Sequence, residues 1–197
     1  MKKRFFSCVV IVTLMVLLSA SSVFAGDEVT KNFISNKVGV GYQGMIAGNL
    51  LNGASVRYWM GDRIGLEGNF FLGAAKATVN GNDEEGDMWS LEAKMLYAVI
   101  VRSNSKFYVG GKICYCRVDL KTENTTLVGN TNISQNIWIP GVLVGAEYSL
   151  PSIPEVGFNF EVGYSALIYN SSSLPNNTSI DLRIHGVNAA IGIHYYF

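Results

Sequence analysis

From Val38 to Phe197 the side chains alternate with period two, segment after segment, and no helical period stands out. A chain patterned this way must cover one face of every strand. Eight strands are expected: Val38–Ile46, Leu51–Met60, Ile64–Ala75, Met88–Arg102, Phe107–Leu120, Asn136–Leu150, Val156–Tyr169 and Asp181–Phe197. Most reach or exceed the ~9–11 residues that a tilted strand needs to cross a bilayer. Gly61-Asp62-Arg63, Ser103-Asn104-Ser105-Lys106 and Pro151-Ser152-Ile153-Pro154-Glu155 read as tight turns. Lys76–Asp87, Lys121–Gln135 and Asn170–Ile180 read as longer polar loops at the opposite hairpin ends, and only Ala47–Leu50 is short on that side. An even strand count places both termini on the short-turn side.

Alternation alone leaves the orientation of the faces open, because a soluble lipocalin-type barrel alternates too, with its apolar track inside. Composition suggests a membrane barrel, and the make-up of the two tracks and the placement of the aromatics decide. Asp, Glu, Lys and Arg make up 15% of the chain, against ~25% in ordinary soluble domains, and no segment after Ala25 is long and apolar enough for a membrane helix. In the fourth strand Trp89, Leu91, Ala93, Met95, Tyr97, Val99 and Val101 form one track, while Ser90, Glu92, Lys94, Leu96, Ala98 and Ile100 form the other. Across the chain the second kind of track is mainly small, with isolated charges, which suits the crowded interior of an eight-stranded barrel. Tyr58, Trp59, Phe107, Tyr108, Tyr148, Phe158, Tyr195 and Phe197 fall at the short-turn ends, and Trp89, Tyr115, Trp138 and Tyr169 toward the long-loop ends. These read as aromatic girdles at two membrane interfaces. The fold expected is all-β: a transmembrane, antiparallel, up-and-down barrel with its apolar face turned to lipid.

Residues 1–25 read as a cleaved signal peptide. Lys2, Lys3 and Arg4 precede the apolar run Cys8–Leu18, and Val23 and Ala25 place cleavage before Gly26. Residues 26–37 then form a short N-terminal periplasmic segment and 38–197 the barrel. Once Lys2, Lys3 and Arg4 are removed the chain is mildly acidic, which gives no reason to expect a nucleic-acid partner.

The final segment, Ala190-Ile191-Gly192-Ile193-His194-Tyr195-Tyr196-Phe197, resembles the terminal strand of outer-membrane proteins. With the signal peptide and the eight strands, the chain resembles the small OmpA-like, OmpX-like and opacity-type porin-family barrels over residues 38–197. The resemblance implies that Tyr195 and Phe197 belong to a recognition signal for the barrel-assembly machinery. It implies an architecture and names no activity.

The inward tracks carry Arg57, Lys94 and Lys112 against Glu67, Glu92, Glu147 and Glu161. The turn centred on Asp62 sets Arg57 opposite Glu67, so the two can pair across the strands. In a narrow lumen all seven are expected to pair, because an isolated buried charge is very costly. Asp83, Glu84, Glu85 and Asp87 crowd one loop and form a weak candidate for a hard cation, with a merely hydrated acidic loop as the plainer reading. Cys114 and Cys116 share a face, and a bridge between them would strain the strand, so they read as free thiols lining the interior. Neither a metal centre nor a cofactor is expected.

A His-x-Ser pair of the lipid A deacylase type is not found: His185 precedes Gly186-Val187-Asn188, and His194 lies in the terminal strand. His185 is expected at the rim and His194 in the lumen. No catalytic residue is assigned, and the chain is not expected to be an enzyme. The leading expectation is a structural and surface-interaction protein that contacts outer-membrane lipid and lipopolysaccharide and offers its loops to an extracellular ligand. A low-conductance porin is the alternative, and an outer-leaflet lipid-modifying enzyme a minor one.

Overall fold

A computed structural model describes residues 32–47, 52–79, 82–122, 131–171 and 180–197. The expected signal peptide lies outside the described residues. Eight strands follow in chain order: β1 Val38–Ala47, β2 Asn52–Met60, β3 Ile64–Val79, β4 Asn82–Val101, β5 Ser105–Thr122, β6 Thr131–Leu150, β7 Ile153–Ser171 and β8 Ile180–Tyr196. Each pairs antiparallel with the next, and β8 closes on β1. The last bonds of the closure run between Phe197 and Val38, with N–H···O distances of 3.0 and 3.3 Å. Closure satisfies the edge hydrogen bonds that would otherwise be exposed.

The orientation follows the alternation. Leu72, Met95 and Val142 keep 62%, 64% and 62% of their surface on the outside, among many other large apolar residues. Arg57, Trp59, Lys106, Tyr108 and His194 are fully buried inside. A shell this apolar around a charged interior is suited to lipid and not to water. The barrel therefore spans a membrane.

Polarity misled the expected loop boundaries. β3 and β4 stay paired to Val79↔Asn82, so the acidic segment 82–87 continues the ladder and is not a loop. β5 and β6 likewise pair to Thr122↔Thr131, and β7 and β8 to Ser171↔Ile180. Backbone pairing needs no apolar side chains, so polar strands run on beyond the apolar band. The first hairpin is shorter, ending at Ala47 and Asn52, and it leaves β3 and β8 standing above it. At the other end the turns are also tighter than expected: Ser105 and Lys106 already belong to β5, and Ile153-Pro154-Glu155 to β7. Pro140 sits inside β6, where it pairs with Ile113 of β5 while the ladder to β7 skips Ile139 and Pro140. A proline has no N–H to give to that side.

Two of the expected girdle aromatics prove to be interior. Trp59 and Tyr108 point inward, 5.7 Å apart and edge-on. Period two dictates this, since each shares its parity with an inward charge, Arg57 and Lys112. Glycines make the room. A Cβ on Gly145 would lie 2.6 Å from the Tyr108 ring, one on Gly65 2.9 Å from Trp59, and one on Gly39 2.6 Å from Tyr196. Trp89, Tyr115 and Trp138 do form an outward belt, with ring centroids 5.6 and 5.0 Å apart along the series. Tyr169 lies outside the residues whose side chains are described.

Residues 32–37 turn across the short-turn mouth. Ile34 packs into a cluster with Trp59, Leu96, Ala98, Tyr108, Leu143 and Tyr196. The Asn32 side chain donates to the carbonyl of Arg102 at 2.5 Å, and the Asn36 N–H to that of Trp59 at 2.8 Å. Asn36 itself takes a left-handed conformation at φ 61°, which asparagine tolerates. A segment expected only to lead into the barrel thus plugs one end of it.

Candidate functional site

Arg57 of β2 and Glu67 of β3 are directly opposite in register and form a buried ion pair. Arg57 reaches further than that one partner. Its guanidinium lies 3.1 Å from Glu147 of β6 and 2.8 Å from Glu161 of β7. One cation thus spans the lumen between opposite walls. Lys94 of β4 sits 2.8 Å from Glu67, 3.4 Å from Glu92 and 2.6 Å from Glu161. Lys112 of β5 is the backbone partner of Lys94, yet its ammonium turns instead to Glu92 at 3.1 Å and Asn188 at 3.3 Å. Like charges on paired positions are thereby each given an anion. The seven charges read from the sequence are gathered into one network.

Neutral donors complete it. The Trp59 indole donates to Glu147 at 2.9 Å, and the Tyr196 hydroxyl to the other oxygen of the same carboxylate at 2.5 Å. Tyr108 donates to Glu161 at 2.9 Å and Gln43 does so at 3.1 Å. Asn69 bridges Glu67 and Glu92 at 2.7 and 3.1 Å. Buried carboxylates need this many donors because pairing alone seldom repays their desolvation. Lys106 caps the short-turn end, 4.3 Å above the Trp59 ring, and donates to the Ser35 hydroxyl at 3.1 Å and the Asp62 carbonyl at 2.9 Å. Sequence reasoning missed Gln43, Trp59, Asn69, Lys106, Tyr108 and Tyr196. For Trp59, Asn69, Lys106 and Tyr108 the available signal was parity with an inward charge on the same strand; β1 carries no charge to mark Gln43, and on β8 His194 is the one ionisable residue that shares the parity of Tyr196.

The other expectations fall elsewhere. Tyr195 and Phe197 face outward, and their neighbour Tyr196 faces in. Asp87 is exposed, while the side chains of Asp83, Glu84 and Glu85 lie outside what is described. Among the described residues no group of three or more His, Cys, Asp and Glu could hold a metal ion. Cys114 and Cys116 are buried free thiols. His185 is exposed and stacks parallel to Tyr164, with centroids 6.3 Å apart. His194 is buried and lies 2.8 Å from the Ser55 hydroxyl. That Ser–His pair has the elements of a nucleophile and base, but both partners are fully buried in the lumen wall, out of reach of a lipid substrate.

Closed strands, an apolar exterior and a plugged, charge-filled interior are those of a small transmembrane β-barrel. Two solved structures of this class are similar to the chain. The N-terminal β-barrel domain of Pseudomonas aeruginosa OprF matches with a TM-score of 0.50 at 16% identity, covering 83% of this chain and 98% of that one. A major outer membrane protein from Thermus thermophilus matches with a TM-score of 0.51 at 14% identity, covering 82% and 98%. At these identities the likeness is one of fold. No protein-family model matches the chain, and neither does any curated protein.

Proposed function

We propose that this chain is a non-enzymatic anchor in the bacterial outer membrane, whose filled barrel holds three long hairpins out for contact with the surroundings. The observation that carries the reading is the placement of Arg57, fully buried and bonded to carboxylates on three other strands. A conducting lumen would have to separate those ion pairs, and leaving one partner buried and unpaired costs about 3–5 kcal/mol. Ile34 closes the lumen again at the short-turn mouth. What projects is backbone-paired: β3–β4, β5–β6 and β7–β8 rise as continuous ladders beyond the first hairpin. Rigid scaffolds with variable tips are common presenters of binding residues.

The partners proposed are lipopolysaccharide around the barrel, an extracellular ligand at the hairpin tips, and the barrel-assembly machinery acting through Tyr195 and Phe197. The test has two arms. Planar-bilayer recording of the purified protein should give no stable conductance steps. Shortening β5–β6 to an Asn-Gly turn between Lys121 and Asn132 should leave the barrel folded and remove binding to whole cells. Steady steps that change with Lys112→Ala would transfer the function to solute passage.

A further inference from the structure

The outer wall is not uniformly covered by large side chains. Along one hoop of paired residues Val56, Gly68, Ala93 and Ile113 follow one another on β2, β3, β4 and β5. The next hoop toward the long hairpins is Ala54, Phe70, Leu91, Tyr115 and Trp138. Gly68 and Ala93 leave a low floor, bordered by Val56 and Ile113 on the same hoop and by the taller Phe70, Leu91, Tyr115 and Trp138 on the next, and the result is a groove of about 500 Å³. It opens on the face that meets lipid. A Cβ on Gly68 would meet nothing within 4 Å, so no protein atom claims that space.

The surroundings indicate the occupant. One hoop beyond the groove come Trp89 and Arg117, which are paired residues, and beyond these Asp87 and Asp119, also paired. Arg117 is an outward residue bonded through Nε to Asp119 at 3.2 and 3.3 Å, with 43% of its side chain exposed. The order outward is apolar trough, aromatic belt, cation, carboxylates. It follows the order of acyl chain, interface and headgroup in the leaflet on the long-hairpin side.

We propose that this groove is a binding site for one acyl chain of a phosphate-bearing outer-leaflet lipid, with the phosphate at the level of Arg117. Asp87 and Asp119 face the same headgroup, so the phosphate is accepted together with its divalent counter-ion. The proposal rests on the membrane-facing orientation and adds a place and a chemistry to the lipid contact.

Tryptophan fluorescence tests it. Trp138 lines the groove, Trp59 is sealed in the lumen, and Trp89→Phe removes the third indole. In magnesium-containing vesicles of brominated phosphatidylcholine, Trp138 should be quenched. Unbrominated lipid A should relieve the quenching with a preference of about fivefold, the size of one exposed charge contact. Gly68→Leu should bring that preference to about unity by filling the trough, and Arg117→Gln should lower it. Heat-modifiable gel mobility reports that both variants still fold. A preference near one in the parent, or one unchanged in Gly68→Leu, overturns the site while leaving the barrel in the membrane. Relief lost only because the chains self-associate on that face, seen by crosslinking, also overturns it. No quenching at all would overturn the orientation itself.

Discussion

Arg57 has more neighbours than its cross-strand partner, and this shapes what charge reversal should do. Arg57→Glu faces Glu67, Glu147 and Glu161 together and should destabilise the barrel by more than about 3 kcal/mol. Adding Glu67→Arg re-forms one pair but returns a cation from a different strand, so recovery should be partial. Equilibrium urea unfolding in detergent measures both, and a double variant no more stable than the single would show that the pair is not coupled. Glycines beside inward rings make a second point at the same scale. Gly145→Ala places a methyl where the Tyr108 ring lies and should cost about 1–3 kcal/mol by overpacking, whereas Gly68→Ala, on the open outer face, should be close to neutral. The Arg57–Glu67 pairing was legible because a three-residue turn fixes register. The reach to Glu147 and Glu161 was not, since it depends on the bore of the closed barrel, which no local pattern encodes.

Among the elements, the N-terminal segment 32–37 carries the least expected role. Ile34 is buried in the lumen cluster and Ser35 joins Asp62 and Lys106, so the segment seals the mouth and also tethers the first turn. Ile34→Ala should cost about 2–5 kcal/mol, read as a lower unfolding midpoint, and should speed hydrogen exchange at the Asn36 amide that donates to Trp59. Unchanged exchange would mean that the plug is held by its backbone alone. Nothing in the alternating pattern announces this segment, because two adjacent apolar residues, Phe33 and Ile34, in a polar stretch have no periodicity. The long hairpins were legible only in part. Eight strands could be counted, but polar residues such as Thr78 and Asp83 were read as loop although they are paired.

At the scale of the whole molecule one arrangement governs the rest: apolar residues outside, charges matched and buried inside, and an outward aromatic belt of Trp89, Tyr115 and Trp138 toward the long hairpins. It was visible in the sequence because a lack of charge together with period two leaves few other folds. The inward placement of Trp59 and Tyr108 was hidden because height along the strand groups them with the girdle rings, and only parity separates them. Spin-label scanning along β4 is the most direct test of the arrangement. With Cys114 and Cys116 changed to serine, nitroxides at Leu91, Ala93, Met95 and Tyr97 should be open to oxygen and shielded from a water-soluble nickel reagent. Labels at the inward-facing Leu96 and Ala98 should be shielded from both. An oscillation of opposite phase, or aqueous access along the odd-numbered track, would contradict the inside-to-outside assignment.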